Sequence, residues 1–404
     1  MQTRLDPRIQ QADYAPAVDS ILRKCVHCGF CNATCPTYQL LGDELDGPRG
    51  RIYQMKQFFE GEPANAEMLK HLDRCLTCRA CETTCPSGVE YSHLLEVGRE
   101  VIERELPRPL WDRLRRRAIV AFINSGWLFT MFTRAGQAFA PLLPASLKRS
   151  VPPRQKPLAR PEGRHPRKVL MLGGCVQGVL TPNTNASASL VLDRLGIEAI
   201  EIGGNLCCGA AALHTSAPEY GLRQAKQLID AWWPHVESGI EAIVATASGC
   251  GVTLKDYARL LGGDPKYAGK AETISSLHCD LVEMIEQESA RLPAVFPQVR
   301  RVAVHTPCTL QHGLGLGNRV EKILRACGYE ICRVEEAHLC CGSAGTYSLL
   351  QSRLSSRLRD NKLTALTVDR PDVIATANVG CQLQLAQGDS IPVVHWIELL
   401  RPEP

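Results

Sequence analysis

Between residues 25 and 86 one cysteine pattern is written twice. Cys25, Cys28, Cys31 and Cys35 are followed by Pro36, and Cys75, Cys78, Cys81 and Cys85 by Pro86, so each run is C-x2-C-x2-C-x3-C-P, offset by 50 residues. Three cysteines at intervals of three can curl around one iron-sulfur cube with the loop amides directed at its sulfides, and the fourth, turned away by its proline, reaches the other cube. On that rule the first [4Fe-4S] cluster takes Cys25, Cys28, Cys31 and Cys85, and the second takes Cys75, Cys78, Cys81 and Cys35. Four thiolates also suit zinc, but zinc sites usually pair CxxC knuckles across a finger. The insert between the two runs carries Arg49, Arg51 and Tyr53 on an expected helix over 50–59. That basic-aromatic patch is either a docking surface or a plain solvated helix.

Composition narrows the setting. Lys and Arg number 46 against 42 Asp and Glu, a net +4 that argues for no extended nucleic-acid surface. Arg113 and Arg115 to Arg117 remain as a local basic run for a partner or anionic lipid. The opening MQTRLDPRIQQADY has no long apolar run, so a cytoplasmic chain is expected. There, 19 cysteines read as metal ligands or reactive thiols before disulfides, and the sequon Asn185-Ala186-Ser187 goes unused.

Past residue 165 the chain repeats itself. KVLMLGGC ending at Cys175 matches RVAVHTPC ending at Cys308, Cys207-Cys208-Gly209 matches Cys340-Cys341-Gly342, and AIVATASGC ending at Cys250 matches VIATANVGC ending at Cys381. The offsets are 133 for the first three cysteines and 131 for the last, and His278 aligns with His395. Apolar runs at 168–172, 242–246, 301–305 and 373–376 predict buried parallel strands, with crossover helices at 188–195 and 319–326. Each half then places its cysteine loops at a common sheet edge. The expected fold is α+β overall: a mostly helical two-cluster ferredoxin-like domain (1–105), a helical segment and Pro/Arg-rich linker (106–165), and two α/β lobes (166–290 and 291–404) related by a pseudo-twofold axis.

Eight repeat-matched cysteines beside glycines are more than packing explains. Cys175, Cys207, Cys208, Cys250, Cys308, Cys340, Cys341 and Cys381 are candidates for one or two additional iron-sulfur centres, with a redox thiol pair and inert structure as alternatives. Cys279, Cys327 and Cys332 have no repeat partner and are expected to pack. Of His278, His305, His312, His338 and His395, most are expected to be structural. The apolar stretch 118–143, interrupted by Asn124, Arg134 and Gln137, is read as internal packing or as a helix on a membrane surface rather than a span. Gly313, Gly315 and Gly317 do not complete a dinucleotide fingerprint, so no flavin or nicotinamide is expected on this chain.

CVHCGFCNATCPTY, RCLTCRACETTCPSGVEY and the paired LCCG segments, with LDGPRGRIYQMK and ASGCGVTLKDY, resemble the iron-sulfur subunits of bacterial glycolate oxidase over essentially the whole chain. The resemblance implies an electron-transfer subunit with no catalytic residue of its own. Flavoprotein partners would oxidise glycolate and D-lactate, and this chain would pass electrons toward quinone, in the cytoplasm or peripherally on the inner membrane. The wider group includes the iron-sulfur subunit of anaerobic glycerol-3-phosphate dehydrogenase and the CCG subunit of heterodisulfide reductase, whose halves resemble a fuller C…CC…CxxC. Here Cys250 is followed by Gly251, Val252 and Thr253, and Cys381 by Gln382, Leu383 and Gln384, which leaves four ligands per half. Two other accounts stay open: lobes that themselves reduce a disulfide or quinone, and lobes that serve as a structural adaptor.

Overall fold

The structure, a computed structural model, describes residues 1–142, 144, 151–204, 206–215, 217–292, 301–388 and 391–401. Residue 143 of the apolar stretch and 145–150 of the expected helical segment and linker lie outside the described residues. Two compact units emerge: Met1–Arg115 with His338–Leu358, and Arg116–Ala337 with Arg359–Pro404.

The first unit is helical. Its longer helices are Ala15–Lys24, Pro48–Phe59, Ala66–Asp73 and Tyr91–Glu105. Prolines begin two of them, where a missing N–H costs nothing, and Asn65 caps a third by accepting from the Met68 N–H at 2.9 Å. Their inward faces build one core from Leu22, Met55, Phe59, Leu72, Leu94 and Ile102, which also takes in Cys25 and Cys81.

The expected surface patch at 49–53 needs correction. Arg51 is 1% exposed, and its guanidinium donates to His71 O (2.7 Å), Thr37 Oγ1 (3.1 Å) and Asp46 Oδ1 (3.4 Å). Helix Pro48–Phe59 buries Arg51, Ile52, Met55, Phe58 and Phe59, so it is a core helix rather than a solvated one. Only Tyr53 and the Glu44-paired Arg49 of the patch reach solvent.

The second unit carries two four-stranded parallel sheets of the same strand order, β2-β1-β3-β4 and β6-β5-β7-β8. The strands are β1 (Arg167–Met171), β2 (Ile197–Ile200), β3 (Ala242–Ala245), β4 (His278–Asp280), β5 (Arg301–His305), β6 (Glu330–Ile331), β7 (Val373–Thr376) and β8 (Val393–His395). Pairings such as Leu170 with Ile243 and Ala303 with Ile374 set the register. Side chains alternate across a strand. Val169, Met171 and Val244 therefore face one core, and Leu170, Ile243 and Ala245 face another with Trp232 and Tyr257.

The first of those cores is shared by both halves of the repeat: Val169, Leu192 and Ile285 pack with Val302, Val304 and Ile323. Polar contacts fasten the same seam. His395 Nε2 lies 2.8 Å from Thr246 O, the Ser248 N–H donates to Ala377 O (3.2 Å), and Ser248 Oγ meets Thr309 Oγ1 (2.7 Å).

Helices Leu110–Asn124 and Trp127–Phe139 carry the apolar stretch. Val120, Asn124 and Phe129 are buried, and Asn124 Oδ1 accepts from Gln224 Nε2 at 2.8 Å. Trp127, Met131, Phe132 and Phe139 are exposed, so internal packing accounts for one side only. Among the described residues no helix is long and apolar enough to cross a membrane.

Candidate iron-sulfur sites

The two cysteine runs of the first unit fold into loops of one conformation. His27 (φ 56°) and Gly29 (φ 85°) in the first correspond to Thr77 (φ 52°) and Arg79 (φ 60°) in the second. Left-handed backbone costs a non-glycine residue roughly 1–2 kcal/mol, so three such residues need a compensating reason. The turn supplies one: it directs the Thr77 N–H at Cys75 Sγ (3.5 Å), and a backbone hydrogen bond from His27 reaches the Cys25 thiol in the same way. Short helices Phe30–Ala33 and Ala80–Thr84 follow. Cys35 and Cys85 then turn extended before Pro36 and Pro86, since the residue before proline is driven out of the helical region.

The eight thiols line two adjoining cavities. Cys25, Cys28, Cys31 and Cys85 line one; Cys35, Cys75 and Cys78 line the other; Cys81 and Tyr91 touch both. Each cavity thus draws its fourth cysteine from the opposite run. Burial pushes the Cys31 thiol up to about 11 and the Cys81 thiol well above its ordinary value. Such thiols stay protonated until a metal displaces the proton. All-sulfur donor sets with inward amides fit iron-sulfur clusters.

Within this unit the segment His338–Leu358 lies close to the second cavity. Burial raises the Tyr347 hydroxyl, with Cys75 and Cys340 adding to the effect and Arg51 opposing it. Arg115 Nη2 donates to Leu349 O at 2.6 Å.

A third set of thiols gathers in the second unit at the C-terminal edge of the first sheet. Cys175 follows β1, Cys207 and Cys208 follow β2, and Cys250 sits in the first turn of helix Ser248–Leu260 after β3. Cys207 Sγ lies 3.5 Å from Cys175 Sγ, while Cys208 hydrogen-bonds with both Cys207 and Cys250. The Gly209 N–H donates to Cys207 Sγ (3.4 Å) and Tyr257 OH to Cys208 O (2.8 Å). The hydrogen bond from Cys207 and burial push the Cys175 thiol well up. Cys207 is lowered by Cys175 but raised more by Cys208 and burial, and ends at about 12.

Of the matched set, Cys308 follows β5 and the buried Cys381 lies in helix Val379–Leu385 after β7. Cys340 and Cys341 are buried in the segment that belongs to the first unit. His305 is fully enclosed, with Nδ1 2.9 Å from Thr376 Oγ1, and burial drives its pKa well below the usual range. His278 and His395 are pushed down to about 4 by burial. Cys327 lies in the shared core, Cys279 packs against it, and Cys332 is buried.

One group has no sequence signature. Gln177 Nε2 donates to Asn185 Oδ1 (2.5 Å) and to Thr246 Oγ1, and Asn185 Nδ2 donates to Leu172 O (3.0 Å) and to Glu201, forming a buried polar network beside Cys175. Its members come from separate helices and a strand end. The glycine pairs Gly173-Gly174 and Gly203-Gly204, which open the backbone there, were the available hint.

Comparison with known proteins accords with this geometry. Residues 21–89 match the 4Fe-4S dicluster domain, and residues 169–255 and 302–386 each match the cysteine-rich domain. The chain is 49% identical to the glycolate oxidase iron-sulfur subunit of Escherichia coli (strain K12), over 99% of this chain and 98% of that protein. The chain belongs to the glycolate oxidase iron-sulfur subunit family. Within the same similarity, it is 29% identical to a probable glycolate oxidase iron-sulfur subunit of Bacillus subtilis (strain 168), covering 94% of this chain and 93% of that one. It is also 25% identical to a fumarate reductase (CoM/CoB) subunit of Methanothermobacter marburgensis, over 97% of this chain and 74% of the relative.

Proposed function

We propose that this chain is the electron-carrying subunit of a complex in which a flavoprotein partner oxidises a 2-hydroxy acid, glycolate with D-lactate as a second substrate, and electrons leave toward a membrane quinone. The observation that carries the reading is the sorting of eight cysteines into two adjoining cavities, each completed by the opposite run. Cys25, Cys28, Cys31 and Cys85 would hold one [4Fe-4S] cluster, and Cys75, Cys78, Cys81 and Cys35 the other. Such clusters, when bound, accept and release single electrons. The chain's own residues supply the setting: Tyr91 is enclosed between the cavities, and the amides of His27 and Thr77 point at ligand sulfur. Hydrogen bonds of this kind tune a cluster's potential.

Cys175, Cys207, Cys208 and Cys250 would hold a further centre, with Cys308, Cys340, Cys341 and Cys381 as its counterpart in the repeat. The raised thiol pKa values speak against an exposed dithiol poised to attack a disulfide, because the thiolate is the nucleophile. The ferredoxin-type region 1–105, the connector 106–165 and the lobes 166–290 and 291–404 would be the functional divisions, on a chain peripheral to the cytoplasmic face of the membrane.

Iron and acid-labile sulfide, measured on chain purified without oxygen, test the reading. About eight of each per chain places everything in the two N-terminal cavities, and about twelve or sixteen adds one or two centres in the lobes. Cys31→Ser and Cys78→Ser are each expected to perturb one cluster's paramagnetic signal and to block electron exit from the assembled complex. Oxidation of glycolate by the purified chain alone overturns the proposal.

A further inference from the structure

An open cleft of about 430 Å³ lies beside Cys175 in the second unit. One wall is bare backbone: a Cβ placed at Gly173, Gly203 or Gly204 would meet no atom within 4 Å. Among its lining residues are Thr181, 4% exposed, and Gln177, 3% exposed, whose buried Oγ1 and Oε1 make no hydrogen bond. A buried polar atom left unpaired costs about 1–3 kcal/mol. Gln177 has no freedom to relieve this, since its Nε2 is held by Asn185 and Thr246. Two fixed, unpaired atoms, a hydroxyl that can donate and a carbonyl oxygen that accepts, are what a ligand with both functions requires.

Charge excludes an anion. Arg160 in the cleft is spent on Glu201 at 2.6 Å, and that carboxylate stands in the lining. Helix Pro182–Arg194 starts at the cleft, but Pro182 has no N–H and the Asn183 N–H is taken by Gln155 Oε1 at 3.1 Å. With Arg160 and Glu201 paired to each other the lining offers no unpaired charge of either sign, which suits a neutral molecule.

The mouth indicates where that molecule comes from. Gly126, Trp127 and Thr130 form part of it, at the start of helix Trp127–Phe139. Trp127 is 69% exposed, and Met131, Phe132 and Phe139 stand out to solvent along the same helix, which holds no acidic residue. An amphipathic helix of 13 residues with an uncovered apolar side suits the bilayer interface, and what enters past it is lipid-soluble.

We propose that this cleft receives the ring of a membrane quinone, with a ring carbonyl accepting from Thr181 Oγ1–H and, after reduction, a ring hydroxyl donating to Gln177 Oε1. The proposal rests on the reading that electrons leave toward quinone. Reduction takes two electrons from the 2-hydroxy acid oxidised by the complex and two protons from solvent through the open cleft; both ring carbonyls become hydroxyls.

The test uses the assembled complex in phospholipid vesicles and a photoreactive azido-quinone with an isoprenoid tail. Labelling is expected on the peptides around 126–130 and 173–182, displaced by unlabelled quinone. Gly203→Leu fills the cleft from a position with ordinary backbone and open space, and is expected to reduce labelling about tenfold, a change of 1.4 kcal/mol. Iron per chain and unfolding temperature report that the variant is folded. Thr181→Val, which removes only the unpaired hydroxyl, is the second variant and should weaken labelling in the same direction. Labelling elsewhere, or labelling indifferent to both variants, in a complex that still reduces quinone overturns the cleft assignment and leaves the functional reading standing. A complex that oxidises the acid but neither reduces nor binds quinone overturns both.

Discussion

His395 uses both ring nitrogens in its neutral form: Nδ1 accepts from the Ile397 N–H at 3.4 Å and Nε2 donates to Thr246 O at 2.8 Å. Burial pushes its pKa down to about 4 from 6.5. An imidazole that stays neutral in the fold but protonates in the unfolded chain contributes stability above pH 6.5 and loses it as pH falls toward 4, by about 3 kcal/mol in full. His278 is shifted equally, but Asp280 two residues on is pushed up to about 7 by burial, so it gains stability as pH falls through nearly the same window. Those two oppose each other, and His395 keeps its effect. The difference in unfolding free energy between wild type and His395→Gln should shrink by about 2 kcal/mol from pH 7 to pH 4.5. A difference that is constant with pH would show that the imidazole is not held neutral. Residue-scale burial of this kind was poorly legible in the sequence. Arg51 looked like a surface cation because nothing in a single chain announces that Asp46, Thr37 and the His71 carbonyl converge on it.

At the scale of an element, the CCG turn explains why glycine follows the paired cysteines. Gly209 and Gly342 take φ of +88° and +82°. A Cβ at Gly209 would stand 2.5 Å from Gly221 O, and one at Gly342 would stand 2.6 Å from Ser355 O. Only glycine permits both the left-handed backbone and the close approach. That turn aims the Gly209 N–H at Cys207 Sγ and starts the short helix Ala210–Leu213. Gly209→Ala should therefore cost about 2–4 kcal/mol, combining left-handed strain with overpacking. It should also displace Cys207 and Cys208 from Cys175 and Cys250. Denaturant unfolding together with iron content checks this; a variant with wild-type stability and iron would mean the backbone relaxes freely there. The turn's position was readable from the repeat, but its physical reason was not, because the opposing carbonyls lie 12 and 13 residues farther along the chain.

For the whole molecule, periodicity carried the reading as far as periodicity goes. The 133-residue repeat anticipated two matching α/β lobes with buried parallel strands, and the two sheets share one strand order because the same apolar runs select the same strands. The sequence reading assigns His338–Leu358 to the lobe 291–404, whereas by its contacts that segment clusters with the first unit. The thiol positions were legible because ligand spacing is local. The cleft lined by Gln177, Thr181 and Glu201 was not, because its polar atoms meet only after folding. The same division of cores has a consequence for metal removal. In the first unit Cys25 and Cys81 belong to the core, with Cys31, Cys75 and Cys85 packed against it, so removing the proposed clusters leaves two voids beside the core residues Ile52, Val89 and Leu95. Cavities in a core lose both contacts and transfer energy. The second unit instead holds the shared core of both sheets, from Val169 to Leu400, with no thiol of the proposed ligand sets within it; of those thiols Cys208 enters the core on the other face of the first sheet, with Cys250 packed against it. Chelation without oxygen is therefore expected to release amide protection first in helices Ala15–Lys24 and Tyr91–Glu105, while β1, β3, β5 and β7 stay protected. Hydrogen exchange followed by peptide mass analysis reads this directly. Simultaneous loss in both units would mean that the sheets depend on iron as strongly as the helices do, and would point to centres in the lobes that carry structural weight of their own.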